Sequence, residues 1–527
     1  MCRVTRAEPE AQLRRRLLGP EPGPRHRLWG WLGPLLVTAV AAVLRFFRLE
    51  HPHQLVFDET YYVKQAWSLV LHGHEREVRG GLEEPDALFT AGTPDVWGTA
   101  ADMVVHPPVG KWMIAVGELV AGVDTGLGWR LASAVVGTLS VLLVGRAAWH
   151  LFHHATLATA ASLLLAVDGH HFAHSRIGLL DVFVMFWVLC AFLALLLDRR
   201  QARSRLAERC AGLDPGAAVL RWGPGLGLRW WRVAAGLCLG LALGTKWSAG
   251  FFLAAFGLMT VLWDVGARRA AGVRRWLPAG LLRDGVPAFL AMVPVALLTY
   301  LVSWAGWFRA DDSYKRHWAA SHPATGWEQL VPDALRSLGS YHAEIMRFHV
   351  GLQNEHAWSA NPWSWIVQGR PTLFFAEWPS RGEDGCQAAE CVRYIASLGN
   401  LVLWWGAVAG LLVVAFWWLL GRDWRAGAVL SGVAAGWLPW FLYQSRTIYS
   451  FYAVAFVPWL ALVLTFCLGL LLGGTAASER RRRWGTAAVL GVLALAVLWF
   501  AWYYPVHTAE LLTREQWLAR MRFDFWT

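Results

Sequence analysis

The stretch Trp29-Gly-Trp-Leu-Gly-Pro-Leu-Leu-Val-Thr-Ala-Val-Ala-Ala-Val-Leu-Arg-Phe-Phe47 is followed, three residues later, by His51-Pro-His-Gln-Leu-Val-Phe-Asp58-Glu59-Thr-Tyr-Tyr62. The first stretch carries one charge, Arg45, and as a helix it rises about 30 Å, the thickness of a bilayer's hydrocarbon core. The second places two adjacent carboxylates where that helix would leave the membrane. Ionisable residues close to lipid are costly to keep, so such a pair marks a functional candidate.

The rest of the chain repeats the pattern. Of 527 residues, 56% are hydrophobic and only 16% charged, against roughly a quarter charged in soluble proteins; the mean hydropathy is +0.36. Apolar runs suited to spanning fall at about 29–47, 131–150, 155–172, 179–197, 233–247, 249–265, 286–305, 399–420, 426–442, 451–473 and 485–503. The expected fold class is therefore an all-α polytopic membrane protein with about eleven transmembrane helices. A small-residue site at Ala39-Val-Ala41 could end a signal peptide, but the apolar run continues past it and reads as an uncleaved helix.

The net charge of +11 is unevenly placed. Arginines crowd the N-terminal segment, the loop Arg199 to Arg232, the segment Arg268 to Arg283, Arg422 with Arg425, and the run Arg480 to Arg483. The positive-inside rule puts these loops, and the N-terminus, in the cytoplasm and the C-terminus outside. The expected organisation is a basic cytoplasmic segment 1–28, a catalytic transmembrane module 29–305 with an outer loop 48–130, and a second outer loop 306–398. A four-helix module 399–503 and an extracytoplasmic tail 504–527 follow. Both outer loops are rich in Trp and Pro and read as membrane-hugging segments with amphipathic helices.

Among the seven cysteines, Cys190, Cys238 and Cys467 fall in spans, and Cys2 and Cys210 face the cytoplasm. Cys386 and Cys391 share the second outer loop with four residues between them. An oxidising exterior would permit a disulfide there.

Polar residues at membrane depth concentrate on the outer side: Asp58, Glu59, His106, Lys111, Arg130, His170, His171, His174, Arg176, Asp181 and Lys246. All four lysines of the chain (Lys64, Lys111, Lys246 and Lys315) are placed there too. Two carboxylates can supply a general base and a second group that anchors substrate or binds metal. The cationic set can hold a phosphate and stabilise it as it departs. This suits transfer of a phosphate-activated group to a hydroxyl. No nucleotide pool exists outside the cell, and no Walker-type loop is present, so the donor would arrive through the bilayer on a lipid phosphate. Structural alternatives stay open. Asp58-Glu59 could be an acidic pair at a helix N-terminus, Arg130 an interfacial anchor, and His106-Pro-Pro the entry to a proline-started helix. The three histidines lack a helical His-x-x-x-His with a third ligand, so a metal site is not expected.

Five stretches, in order, resemble the protein O-mannosyltransferase family: Phe57-Asp58-Glu59 with Tyr61-Tyr62, His106-Pro-Pro-Val-Gly-Lys111, Trp129-Arg130-Leu131, Ser175-Arg176-Ile-Gly-Leu-Leu-Asp181, and Gly240-Leu-Ala-Leu-Gly-Thr-Lys246-Trp247. The second outer loop adds His356-Ala-Trp358-Ser-Ala-Asn-Pro-Trp363-Ser-Trp365. The resemblance covers about residues 30–505. It implies a GT-C glycosyltransferase fold, a polyprenyl-phosphate mannose donor and Ser/Thr hydroxyls of exported polypeptides as acceptors, with inversion at the anomeric carbon. Asp58 would be the base, with Glu59 orienting a substrate. His106, Lys111, Arg130, Arg176, Asp181 and Lys246 would bind the donor phosphate or shape the site. Tyr61, Trp358, Trp363 and Trp365 are candidate acceptor contacts.

No cofactor is required by this resemblance, and a divalent metal is left open. The implied partners are the lipid donor, membrane lipids, a Ser/Thr-rich acceptor and the export machinery, with no nucleic acid. The implied location is the plasma membrane. The family's eukaryotic members carry a β-trefoil insert in the second outer loop, and the interval here is too short for one. This points to the bacterial branch. Two rivals remain: a related enzyme acting on a lipid or cell-wall glycan, and a transporter. The one-sided clustering of charge and the lack of an internal repeat count against the transporter.

Overall fold

The computed structural model describes residues 4–214, 216–474 and 477–527; Cys2 lies outside the described residues. Among the described residues nine helices are long and apolar enough to cross a bilayer, and two shorter apolar helices, Ala155–Ala166 and Trp230–Leu243, occupy the two remaining expected positions. Helix boundaries depart from the hydropathy pattern where polar side chains intervene. The expected run 155–172 stops at Ala166, because the Asp168 side chain accepts from the His171 amide and starts a separate turn, Gly169–His174. The helix Asp181–Cys210 instead runs well past its apolar stretch, since its last turns gain partners beyond the lipid zone.

The segments 29–305 and 399–503 share one continuous core. Trp459 is fully buried, its ring against Phe192, Phe252 and Phe256 with centroids 5.4, 5.7 and 5.9 Å away. Between helices in lipid the gain comes from close packing rather than from expelling water. Gly432 makes that packing possible, as a Cβ there would lie 2.2 Å from the Trp459 ring.

The outer loops contain short strands as well as helices, which the all-helical expectation did not include. In the first loop, β1 (Arg76–Val78) pairs antiparallel with β2 (Trp97–Ala101) between the amphipathic helices Glu59–His72 and Val109–Ala121. In the second, the helix Asp333–Gly351 is followed by β3 (Leu373–Glu377) and β4 (Cys391–Ala396). The tail supplies β5 (Leu512–Thr513), giving an antiparallel sheet in the order β3-β4-β5. The tail is therefore part of the second loop's fold. Its Trp517 and Trp526 are buried with Tyr394 and Leu398. Cys386 and Cys391 form a disulfide at the start of β4.

At the arginine-rich end, four helices are locked by buried charge. Arg229 donates to Asp198 Oδ1 (2.8 Å) and Asp264 Oδ2 (2.8 Å). Arg232 donates to Asp198 Oδ2 (3.2 Å) and pairs with Asp264, and Arg268 donates to Asp284 Oδ1 (2.9 Å). Removing one partner from such a set strands the others without solvent. Asp264→Ala should therefore lose about 3–5 kcal/mol, read as a lower Tm in detergent, while turnover per folded molecule is unchanged.

Candidate active site

The segment between the first span and the helix Glu59–His72 has few regular hydrogen bonds of its own and is held by two arginines. Arg176 donates to the carbonyl oxygens of Leu44 (3.3 Å), Arg45 (2.7 Å), Phe47 (2.8 Å) and Arg48 (3.0 Å), satisfying the exposed end of the first span. Arg130, 1% exposed, donates to the carbonyls of Leu49 (3.3 Å), Pro52 (2.9 Å) and Gln54 (2.9 Å). Its remaining donors form a two-pronged pair with Glu59 Oε1 and Oε2, both at 2.9 Å. Glu59 is itself fully buried and accepts from the amides of Val56 (2.9 Å) and Gly178 (2.7 Å).

The next side chain back along the chain points the other way. Phe57 takes a left-handed φ of +53°, a strained conformation for a residue with a side chain. Its ring is clamped by Phe374 and Phe451 at 5.2 and 5.3 Å. This turn sends Asp58 into a cavity of about 770 Å³. Asp58 opens the helix Glu59–His72 without capping it by its side chain, so its carboxylate is available to the cavity. Burial pushes Asp58 up to about 6, with Lys246 opposing and Asp181 reinforcing.

Across the cavity, Lys246 donates to Asp181 Oδ2 at 2.6 Å and lies against the faces of Phe451 and Tyr452 at 5.6 and 5.1 Å. His106 lines the wall, its ring 5.2 Å from His349. Burial holds His106 well below the ordinary histidine value, helped by Lys246, and brings His349 down to about 4. Both are neutral at pH 7. Gly110 lets the helix Val109–Ala121 dock beside Lys246: a Cβ there would lie 2.7 Å from Leu180 and 2.9 Å from Thr245.

Five of the residues singled out in the sequence line the cavity: Asp58, Tyr61, His106, Asp181 and Lys246. The others do not line it. Glu59 and Arg130 pair with each other, and Arg176 donates to backbone carbonyls, all three outside the cavity lining. Lys111 is fully buried against Glu75. Trp365 is buried in the core, Trp363 packs edge-on against Phe441, and Trp358 sits under Arg370; none of the three lines the cavity. The arginines looked like phosphate ligands because sequence shows their charge but not the carbonyls that absorb it.

Other cavity residues went unnoticed. Arg446 has no carboxylate within 4 Å among the described residues, and its Nε makes no hydrogen bond. It lies on the outer connection between the spans 426–442 and 451–473, where a lone arginine was itself a signal. Gln65, Asp102, Tyr449 and Tyr452 also line the cavity, while Met346, Phe348 and Val350 give it an apolar side. Among the described residues no three His, Cys, Asp or Glu side chains converge as metal ligands would.

A model of the dolichyl-phosphate-mannose-protein mannosyltransferase family matches residues 35–219. The polyprenol-phosphate-mannose–protein mannosyltransferase of Mycolicibacterium smegmatis is 37% identical over 96% of this chain and 95% of its own length. That of Corynebacterium glutamicum is 33% identical over 93% and 92%. Among solved structures, the Saccharomyces cerevisiae protein O-mannosyltransferase Pmt1–Pmt2 complex bound to the sugar donor matches with a TM-score of 0.70 at 14% identity. The match covers 99% of this chain and 94% of that one, and the shared architecture is the GT-C fold.

The buried pair carries a testable cost. Glu59→Ala leaves Arg130 charged and unpaired, so stability should fall by about 3–5 kcal/mol. Thermal unfolding in detergent would read this, and a Tm equal to that of the parent would refute a scaffolding role for Glu59.

Proposed function

The chain belongs to the polyprenol-phosphate-mannose–protein mannosyltransferase family, and on that premise we propose that Asp58 is the general base of its reaction, with Lys246 and Arg446 on the donor phosphate. The protein is a membrane glycosyltransferase that moves mannose from a polyprenyl phosphate to protein. The observation that carries the assignment of roles is the sorting of charge: among the described residues Asp58 and Arg446 face the cavity without a salt-bridge partner, whereas Lys246 is paired with Asp181, Glu59 with Arg130, and Asp102, the other unpaired carboxylate of the lining, accepts from Gln65.

In this reading an acceptor Ser or Thr hydroxyl gives its proton to Asp58 as its oxygen attacks C1 of mannose. The C1–O bond to phosphate breaks with inversion, and the bonding electrons leave on the polyprenyl phosphate. Lys246 and Arg446 stabilise that departing charge through charge-assisted hydrogen bonds. His106 and His349, being neutral, can bond to the sugar or phosphate without titrating near pH 7. The apolar side of the cavity suits the first isoprene units. We place the site on the extracytoplasmic face of the plasma membrane, with an exported polypeptide as acceptor, because the arginine-rich loops lie at the opposite end of the spans.

The assay uses membranes, labelled polyprenyl-phosphate mannose and a Ser/Thr-rich peptide. Asp58→Asn should reduce transfer to peptide by at least about 10³-fold, at the upper part of the range for acid–base groups, without changing the amount of protein in the membrane. Near-normal turnover would remove Asp58 from the base role. Arg446→Gln should lower kcat/KM for the donor by about 10–100-fold, the size of one or two bonds to a charged group; an unchanged value would take Arg446 off the phosphate. Asp58 must be ionised to accept a proton, so kcat/KM should fall as pH drops through about 6. A flat profile between pH 5 and 8 would contradict this.

A further inference from the structure

Among the described residues the Asp58 carboxylate accepts one side-chain hydrogen bond, from Tyr62 Oη to Oδ2 at 3.3 Å. The contrast with Glu59, whose two oxygens take four bonds, is large. Asp58 gets no help from the helix N-terminus beside it, because its side chain caps nothing. With one bond to Oδ2, rotation of the carboxylate is restricted, and among the described residues Oδ1 carries no side-chain hydrogen bond. Tyr62 stands one helical turn beyond Asp58, on the same face of the helix Glu59–His72, where residues i and i+4 meet. It is 8% exposed, lines the cavity beside Asp58, and its ring approaches His106 at 6.1 Å.

We propose that Tyr62 is a positioning residue for the base: it holds Oδ2 of Asp58 so that Oδ1 receives the acceptor proton. This rests on the reading of Asp58 as the base. The other ionisable groups facing Asp58 are Lys246 from the turn after Trp230–Leu243, Asp181 from the start of Asp181–Cys210, and Tyr449 and Tyr452 from the connection around Ser450–Phe456. Among the described residues none of them hydrogen-bonds to the Asp58 carboxylate. Burial, and then the Asp58 charge, hold the Tyr62 phenol well above its ordinary value, so it stays a neutral donor throughout the working range and does not compete for the acceptor's proton.

A bond donated to the ionised carboxylate favours that form. Losing it raises the pKa of Asp58, and strengthening it lowers the pKa. Tyr62→Phe keeps the ring and its packing. It should reduce kcat by about tenfold, as for one bond to a charged group, and move the acid limb of the pH–kcat profile upward. KM for donor and acceptor should stay within about twofold, because the hydroxyl removed is bonded to Asp58 and the ring is kept. Fluorotyrosine at position 62, a stronger donor of the same shape, should move the limb downward. Tyr62 acting only as packing would leave kcat and the limb unchanged in both variants, and that result overturns the proposal, as does a loss confined to KM. If Asp58→Asn retains turnover, the base assignment falls and the Tyr62 role with it. If Asp58→Asn is inactive while Tyr62→Phe matches the parent, only the Tyr62 role falls.

Discussion

The site depends on one buried ion pair. Arg130 and Glu59 meet out of contact with water, and each also binds backbone groups that would otherwise be stranded: three carbonyls on the arginine side, two amides on the carboxylate side. A pair this buried repays its desolvation only when geometry is good and the remaining polar groups are satisfied. Both conditions hold here. The pair ties the end of the first span, the segment leading to Asp58, the start of the amphipathic helix and the turn at Gly178 to one point. Without it the left-handed turn at Phe57 would keep the clamp on its ring but lose the anchors of the backbone on either side.

Charge near the cavity falls into two populations. One is spent on the protein itself: Arg130, Arg176, Glu59 and Lys111 are buried, bonded to protein groups and outside the cavity lining. The other remains addressable: Asp58, Arg446 and the Lys246–Asp181 pair. The first population fixes the loops; the second can respond to a ligand. Adjacent residues are split between them, Asp58 to the cavity and Glu59 to the scaffold, because the strained residue just before them and the helix start just after set the two side chains in different directions.

The fold was legible because lipid imposes a length and a composition on every spanning helix, and hydropathy reads both. The motifs were legible too, and each of the five contributes to the site or its support. What sequence could not separate was a charge at the site from a charge behind it. Arg130 and Arg176 bear the same formal charge as Arg446, and only the carbonyls folded around the first two distinguish them. The short strands escaped notice for a related reason. β5 exists because the tail returns to β4, and that partner is more than a hundred residues away in the chain. Trp358, Trp363 and Trp365 read from sequence as candidate acceptor contacts; Trp365 is buried in the core, and Trp363, though mostly exposed, lies outside the cavity lining.

The unpaired guanidinium of Arg446 affects how a catalytic cycle would end. A polyprenyl phosphosugar is a diester with one negative charge; once the sugar has gone, the lipid phosphate is a monoester carrying nearly two at neutral pH. Fixed positive groups placed to stabilise bond cleavage grip the spent carrier more firmly than the loaded one. On the proposed reading the empty lipid competes with the loaded one for the same site, and accumulated carrier in the outer leaflet slows the enzyme. Mannosylation would then keep pace with the recycling of the lipid as much as with the supply of sugar.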